Sequence, residues 1–324
     1  MKHFTSFYDV PDHQGLLDLA LKLKANPHGF TSVGQHKTIG LVFMNPSLRT
    51  RLSSIKAAYN LGADVWVLNA GADSWVLETG DGTIMDGSSQ EHIKEAMRVM
   101  STYCDVIGVR TFPGLVDREK DYTEAIMNQI KSLVTVPLVS LESATLHPLQ
   151  SLADYITLKE HNPSQKKIKV VLSLSIKVVL SWVPHVKALP QAVANSFAQW
   201  MSNIDWVDLH IAHPQGYQLE DQFIKNTQVH FDQQEAFEGA DFIYAKNWSS
   251  YCDYGQIIKK DFDWMINQEK MNWTNNAKFM HCLPVRRNVV VADEILDSDQ
   301  SVVIQQSENR IYAAQAVFYE LLRG

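Results

Sequence analysis

The sequence predicts an α/β protein with two doubly wound, parallel-sheet domains, and three observations carry that expectation. Short apolar runs alternate with helical periodicity along almost the whole chain, the pattern of parallel strands covered by helices on both faces. The 324 residues exceed what one compact core ordinarily holds. An apolar run also breaks at Pro46 into "SLRTR", a strand-to-helix bend. In open sheets such bends lie beyond the strand carboxyl ends, where ligands bind.

The elements follow in order. "TIGLVFM" (38–44) reads as a buried strand, and "RLSSIKAAYNLG" (51–62) as a helix with Leu52, Ile55, Ala58 and Leu61 on its apolar side. "DVWVLNA" (64–70) is a strand again. "SQEHIKEAMRVMSTY" (89–103) is a helix whose opening Ser-Gln-Glu suits a cap and the macrodipole. "DVIGVR" (105–110), a helix near 121–132 and "VPLVSLES" (136–143) continue the alternation. "PLQSLADYITLKEH" (148–161) has proline in the first helical turn, where its missing N–H costs nothing. A polar connection, "KEHNPSQKK", follows. Further strands are expected at "IKVVLSW", "WVDLHIAH" (206–213), "DFIYAK" (241–246) and "AKFMHCLP" (277–284), and a last helix at 309–324. The two units meet near 147–150.

"IKVVLSLS" (168–175) is followed at once by "IKVVLSWV" (176–183), a tandem copy of eight residues. A strand slipped by eight keeps its facing, so either copy could pair. The second runs straight into "WVPHVKALPQ" and is expected to be the sheet strand, with the first a loop or an extra strand.

Composition excludes several classes. A net charge of -7 argues against nucleic acid or an anionic membrane as partner, since either wants a basic face. Cys104, Cys252 and Cys282 form an odd, widely spaced set, which fits neither a disulfide scaffold nor structural zinc and suits a reducing compartment. The start lacks a signal-peptide core, and no apolar run approaches the roughly 20 residues of a membrane span. A cytoplasmic globular protein is expected.

Three clusters carry chemistry. N–H groups at a helix start after Pro46 favour negative charge, Ser47 and Thr50 add neutral donors, and Arg49 can grip two oxygens. A capped helix with solvated arginines explains one hydroxyl and one arginine, but not "SLRTR" directly behind a buried strand; phosphate is the natural anion. In "ATLHPLQS" (144–151), His147 and Gln150 flank the helix-starting Pro148. His147 alone could equally be a cap. In "FMHCLPVRRN" (279–288), thiol catalysis by Cys282 would need an adjacent base, and His281 would face the other way on a strand.

"SLRTR", "GVR" (108–110), "HPLQ" (147–150) and "HCLP" (281–284) stand in the order and spacing of the aspartate/ornithine carbamoyltransferase superfamily, which the whole chain resembles. The resemblance implies carbamoyl phosphate as the anion, held by Ser47, Leu48, Arg49 and Thr50. It implies Arg110 and His147 at the carbamoyl oxygen, Gln150 at the carbamoyl amide, and Arg310 as a late arginine that also reaches carbamoyl phosphate. The Cys282 and Leu283 backbone carbonyls then receive amino groups. Trp75 resembles a residue lent to a neighbouring subunit, which implies a homotrimer with shared sites. The implied domains are 1–146, with the 307–324 helix packed back on it, for carbamoyl phosphate, and 147–306 for the amine. No metal-ligand spacing occurs, and neither metal nor organic cofactor is implied.

The amine side departs from plain ornithine enzymes. No Ser-Met-Gly loop occurs, and "WVPHVKALPQAVANSF", "YAKNW" and "HCLPVRRN" resemble the N-acylornithine subgroup. That subgroup threads a proline-bearing loop into a deep trefoil knot in its C-terminal domain. The resemblance implies Glu142, His185, Lys246 and Arg286 around the acylornithine, with Gln90 facing the acyl group. In the segment of Gln90, acetyl-type relatives carry Glu and succinyl-type relatives Pro, so Gln90 matches neither, but it is neutral and repels a succinyl carboxylate less than Glu would. Acetyl-type relatives also carry Lys where Val290 stands, so N-succinylornithine is favoured over N-acetylornithine. A carbamoyl-phosphate-binding paralogue without turnover is the rival from another class. A nucleotide-binding reading lacks both GxGxxG and GxxxxGK[ST].

Overall fold

The computed structural model describes residues 1–162, 175–225, 227–258 and 262–324. The chain forms two compact units, Met1–Leu152 with Arg310–Gly324, and Ala153–Asn309.

The first unit holds α1 (His13–Ala25), β1 (Thr38–Phe43), α2 (Leu48–Asn60), β2 (Asp64–Asn69), β3 (Leu77–Glu78), β4 (Glu91–His92), α3 (Ile93–Ser101), β5 (Val106–Arg110), α4 (Arg118–Tyr122), α5 (Ala125–Leu133) and β6 (Leu138–Glu142). Its parallel sheet has the order β2-β1-β5-β6. The chain leaves β1 to one side for β2 and returns on the other side for β5, so the order reverses between β1 and β5. That reversal opens the crevice in which open sheets bind ligands. The register sets Phe43 beside Arg110 and Arg110 beside Glu142, which brings the ends of three strands level. Beneath, Val42, Ile107, Val109 and Leu138 pack with Ile93, Met97, Met127 and Ile130. Each such side chain stabilises by about 1.5–3 kcal/mol when fully buried. Gly40 is required in β1 because a Cβ there would stand 2.3 Å from the Trp66 ring.

Several sequence expectations shift. In α2 the buried stripe is Thr50, Ser54, Ala57 and Leu61, while Leu52 is 57% exposed. Thr50 must point inward to its partner Arg310, and two residues further on the helix has turned about 200°, which carries Leu52 outward. Glu91 and His92 pair as β4 with β3, so α3 begins at Ile93 behind the His92 cap and not at Ser89. The helix expected near 121–132 is two, α4 and α5, separated by Glu124 in the left-handed region at φ 52.

The helix α6 (Pro148–His161) leads into the second unit, which holds β7 (Ile176–Trp182), α7 (Ala192–Met201), β8 (Val207–Ala212), α8 (Asp221–Ile224), β9 (Gln228–His230), α9 (Gln233–Phe237), β10 (Phe242–Lys246), α10 (Gln268–Met271), β11 (Lys278–Met280) and α11 (Asp293–Leu296). The final α12 (Val303–Arg323) begins earlier than its periodicity suggested and returns the chain to the first unit. The second sheet is also parallel, in the order β11-β10-β7-β8-β9. The second "IKVVLSW" copy is the central strand β7, paired with both β8 and β10. Residues 168–174 of the first copy lie outside the described residues. The strand at "AKFMHCLP" stops at Met280, so His281 and Cys282 stand in a turn and their strand facing does not apply. Among the described residues, no helix is long and apolar enough to cross a membrane.

Candidate active site

In the first unit, the bend after β1 starts α2 with Ser47 as an extended N-cap residue whose hydroxyl makes no capping bond. The first N–H groups of α2, including that of Leu48, therefore open toward the crevice, and the dipole favours an anion there. Thr50 is 2% exposed, and its hydroxyl accepts from Arg310 Nη2. Arg310 Nη1 donates to Gln150 Oε1 at 2.7 Å, and Nη2 lies 3.4 Å from His147 Nε2. One guanidinium from α12 thus joins the α2 start, His147 and the first turn of α6. Arg310 lies 160 to 260 positions from these partners in sequence.

Arg110, at the end of β5, is buried. Its Nε and Nη2 donate to Glu142 Oε2 at 3.1 and 2.7 Å, and Nη1 donates to the carbonyls of Asn45 and Pro46 at 3.0 and 2.8 Å. A guanidinium has five N–H groups, so these four bonds leave one on Nη2. Arg110 is locked in place with a single donor to offer. Glu142 Oε2 also lies 4.0 Å from His147 Nε2. Glu142, which the resemblance places around the acylornithine, stands beside Arg110 and His147 in the first unit. Arg49 is half-buried on the first turn of α2. Trp75 follows β2, is 47% exposed and donates to Glu91 Oε2 at 2.8 Å. Gln90 is exposed just before β4. Neither Trp75 nor Gln90 is among the groups that Arg110 and Arg310 tie together.

The second unit gathers its own basic group. Lys246 ends β10 and is buried; His185 and Arg286 come from loops. Arg286 Nε donates to His185 Nε2 at 3.2 Å, so that nitrogen carries the lone pair and Nδ1 carries the proton it gives to the Lys187 carbonyl at 2.9 Å. Burial holds the His185 pKa below its ordinary value, and the nearby Arg286 and Lys246 charges push the same way, against the Lys187 bond. A neutral imidazole between two cations suits carboxylate groups as ligands.

The 183–191 loop is pinned by polar side chains. Asn247 Nδ2 donates to the Val183 carbonyl at 2.7 Å, and Gln191 Nε2 to the Ser249 carbonyl at 3.0 Å. The turn after β11 is held likewise. Gln306 Nε2 donates to the buried Asp154 at 2.7 Å, and its Oε1 accepts the His281 N–H at 2.9 Å. His281 Nδ1 then accepts the Leu283 N–H at 2.9 Å, and the Leu283–Pro284 bond is cis. Among the described residues, no backbone hydrogen bond ends on the Cys282 or Leu283 carbonyl. No group of three or more His, Cys, Asp or Glu there could hold a metal ion.

Two family descriptions match the chain. "Aspartate/ornithine carbamoyltransferase, carbamoyl-P binding domain" covers residues 2–160, and "Aspartate/ornithine carbamoyltransferase, Asp/Orn binding domain" covers 189–321. The chain belongs to the aspartate/ornithine carbamoyltransferase family. Within it, the chain is 48% identical to N-succinylornithine carbamoyltransferase of Bacteroides thetaiotaomicron, over 100% of this chain and 99% of that one. It is 36% identical to N-acetylornithine carbamoyltransferase of Xanthomonas axonopodis pv. citri, over 99% and 96%. Among solved structures it resembles an N-acetyl-L-ornithine transcarbamylase with one glutamate changed to alanine, complexed with carbamyl phosphate and N-succinyl-L-norvaline. That match has a TM-score of 0.91 at 34% identity, over 99% and 100% of the two chains.

This carbamoyltransferase-family fold uses side chains that sequence motifs do not flag. Asp154 and Gln306 are buried polar residues outside the motifs, while Asn247 lies in "YAKNW" and Gln191 in "WVPHVKALPQAVANSF" with no role implied for either; all four hold the loops in place. Asn247 directly follows Lys246, and Asp154 lies one helical turn past Gln150, so a polar residue at an interior position beside a motif was the available signal.

Proposed function

We propose that this enzyme transfers the carbamoyl group of carbamoyl phosphate to the δ-amino group of N-succinylornithine, giving N-succinylcitrulline and phosphate. The observation that carries the proposal is Arg310 bonded at once to Thr50 and Gln150 and beside His147, which makes one anion site from three distant motifs. Ser47, the Leu48 N–H, Arg49 and Thr50 hold the phosphoryl oxygens. The last N–H of Arg110, with His147 and Arg310, faces the carbamoyl oxygen, and Gln150 takes the carbamoyl amide.

The neutral δ-amine attacks the carbamoyl carbon. Its electron pair forms the C–N bond and negative charge moves to the carbamoyl oxygen. The carbonyl then re-forms as the C–O bond to phosphate breaks with its pair on phosphate, and the proton left on the attacking nitrogen passes to the departing phosphate. Fixed donors at the points where charge appears are each worth roughly 3–4 kcal/mol. A free amine of pKa about 10 is mostly protonated at neutral pH, so a proton must leave first. Glu142 beside His147 is the group for that step. The second unit contributes Lys246 for the α-carboxylate, Arg286 braced by His185 for the acyl carboxylate, and the Cys282 and Leu283 carbonyls for amino groups.

Succinyl is favoured over acetyl on three grounds. Identity is higher to the N-succinylornithine relative. Gln90 is neutral where a glutamate would repel a carboxylate. Val290 is 1% exposed and fills an apolar position where acetyl-type relatives place lysine. The enzyme acts in the cytoplasm in arginine biosynthesis, as a homotrimer to which Trp75 is lent between subunits and with the knotted acylornithine loop, all by resemblance to the subgroup.

The test is one assay with carbamoyl phosphate and, side by side, ornithine, N-acetylornithine and N-succinylornithine. N-succinylcitrulline is the expected dominant product. N-acetylcitrulline in excess would overturn the succinyl choice, and carbamoyl-phosphate binding without any product would favour a non-catalytic paralogue. Arg49→Ala should abolish carbamoyl-phosphate binding while leaving the fold intact; unchanged turnover would refute the phosphate assignment.

A further inference from the structure

The elbow between α4 and α5 holds an acidic side chain that the chemistry above does not use. Glu124 sits there with φ 52 and ψ 37, a left-handed conformation that is uncommon for a residue with a long side chain. Its Oε1 accepts three hydrogen bonds: from Ser143 Oγ at 2.6 Å, from the Thr145 N–H at 2.8 Å and from Thr145 Oγ1 at 2.6 Å. Ser143 and Thr145 are both 2% exposed, so these bonds form out of water. Ser143 also closes a turn with Leu146, through its N–H to the Leu146 carbonyl at 2.8 Å. The residue after Leu146 is His147, and Gln150 follows on the first turn of α6.

We propose that Glu124 is a positioning residue for carbamoyl transfer: its carboxyl sets the 143–146 turn and thereby the places of His147 and Gln150 in the anion site. The inference rests on the proposed role of those two residues. A turn of four residues between β6 and α6 has few ways to move once its two hydroxyl side chains and one N–H converge on a single oxygen. Displacing reacting groups by about 1 Å costs on the order of a hundredfold in rate. The strained backbone at Glu124 fits this role, because the side chain is delivered from an elbow over-determined by the helices on either side.

Glutamine should serve nearly as well as glutamate. Burial pushes the Glu124 carboxyl above its usual range, against the lowering effect of the Ser143 and Thr145 bonds. Its second oxygen, Oε2, is buried as well, and the Ala144 N–H adds to the lowering effect on the carboxyl. What the turn needs is an acceptor oxygen at the Oε1 position, which Gln also supplies.

The neighbouring Asp121 provides a control. It accepts the Gly114 and Leu115 N–H groups at 3.2 and 3.0 Å, a comparable loss of bonds from the same elbow, but from a loop that carries no proposed site residue.

The experiment measures steady-state kinetics with each substrate varied, and carbamoyl-phosphate affinity by calorimetry, for Glu124→Ala, Glu124→Gln, Thr145→Val and Asp121→Ala. Glu124→Ala is expected to weaken carbamoyl-phosphate affinity roughly tenfold and to lower kcat by roughly 10–100-fold. The KM for N-succinylornithine should stay within about threefold. Glu124→Gln should recover most of both, and Asp121→Ala should match the parent. If Glu124→Ala does not fold, Thr145→Val, which keeps the backbone bond, should move the same two quantities in the same direction. Unchanged carbamoyl-phosphate affinity in Glu124→Ala and Thr145→Val would overturn the proposal. So would a Gln variant as impaired as Ala, or an equal loss in Asp121→Ala. A parent that transfers to no acylornithine would sink the proposed reaction, while the affinity comparison would still decide the role of Glu124.

Discussion

Replacing Glu142 by glutamine should move binding and turnover in opposite directions. Glu142 and Arg110 form an ion pair whose side chains are only 9% and 10% exposed, with two guanidinium N–H groups on one carboxylate oxygen. Gln keeps the shape and an acceptor oxygen but removes the charge. A hydrogen bond to a charged partner is worth about 1.5–3 kcal/mol against about 0.5–1.5 for a neutral one, so two bonds lose roughly 2–3 kcal/mol. Full truncation to Ala would approach the roughly 3–5 kcal/mol of a broken buried pair. For a unit of this size the Gln variant should melt roughly 4–12 °C lower. The positive charge released on Arg110 should then attract a dianion, so inorganic phosphate and carbamoyl phosphate should bind tighter and raise the Tm of the variant more than that of the parent. Turnover should fall, because the group that receives the amine proton is gone. Differential scanning fluorimetry with and without carbamoyl phosphate, beside a citrulline assay, reads all three quantities. A variant that melts, binds and turns over like the parent would refute the assignment of Glu142 to the anion site; weaker phosphate binding would refute the charge argument.

Two other expectations follow from the second unit. Cys282→Ser should keep turnover within several-fold, since the backbone carbonyl and not the thiol is assigned a role; a loss of roughly a thousandfold would restore nucleophilic catalysis as a candidate. His185 gives a pH signature. Its folded pKa lies below the ordinary value, so its contribution to stability is present above about pH 6.5 and is lost as pH falls through the folded value, when protonation adds a charge between Arg286 and Lys246. Urea titrations should therefore show the parent losing stability relative to His185→Gln on acidification below about pH 6.5, and parallel curves would exclude the contact as a determinant.

Much of the fold was legible because it rests on local rules. The α6 helix runs from Pro148 to His161 as its proline and periodicity required, and β7 uses the second of the two repeated segments, the one continuous with "WVPHVKALPQ". The misreadings share a cause. Leu52 was placed inward by hydrophobicity, yet α2 turns toward Arg310, a contact made from a residue 260 positions away. Ser89 suited a cap, but two residues of the expected first turn are taken up by pairing with β3.

The same division runs through the site. By itself the sequence determined the alternating strands and helices, the hydroxyl-and-arginine bend after Pro46, and the residue types that gather round an anion, because periodicity, capping and charge are written within a few positions. Only the tertiary structure decided that Arg110 spends four of its N–H groups before any ligand arrives, that Glu142 stands with it, and that Glu124 reaches across to the turn before His147. Those facts depend on strand register and on where an elbow ends in space, and no short window of residues records either.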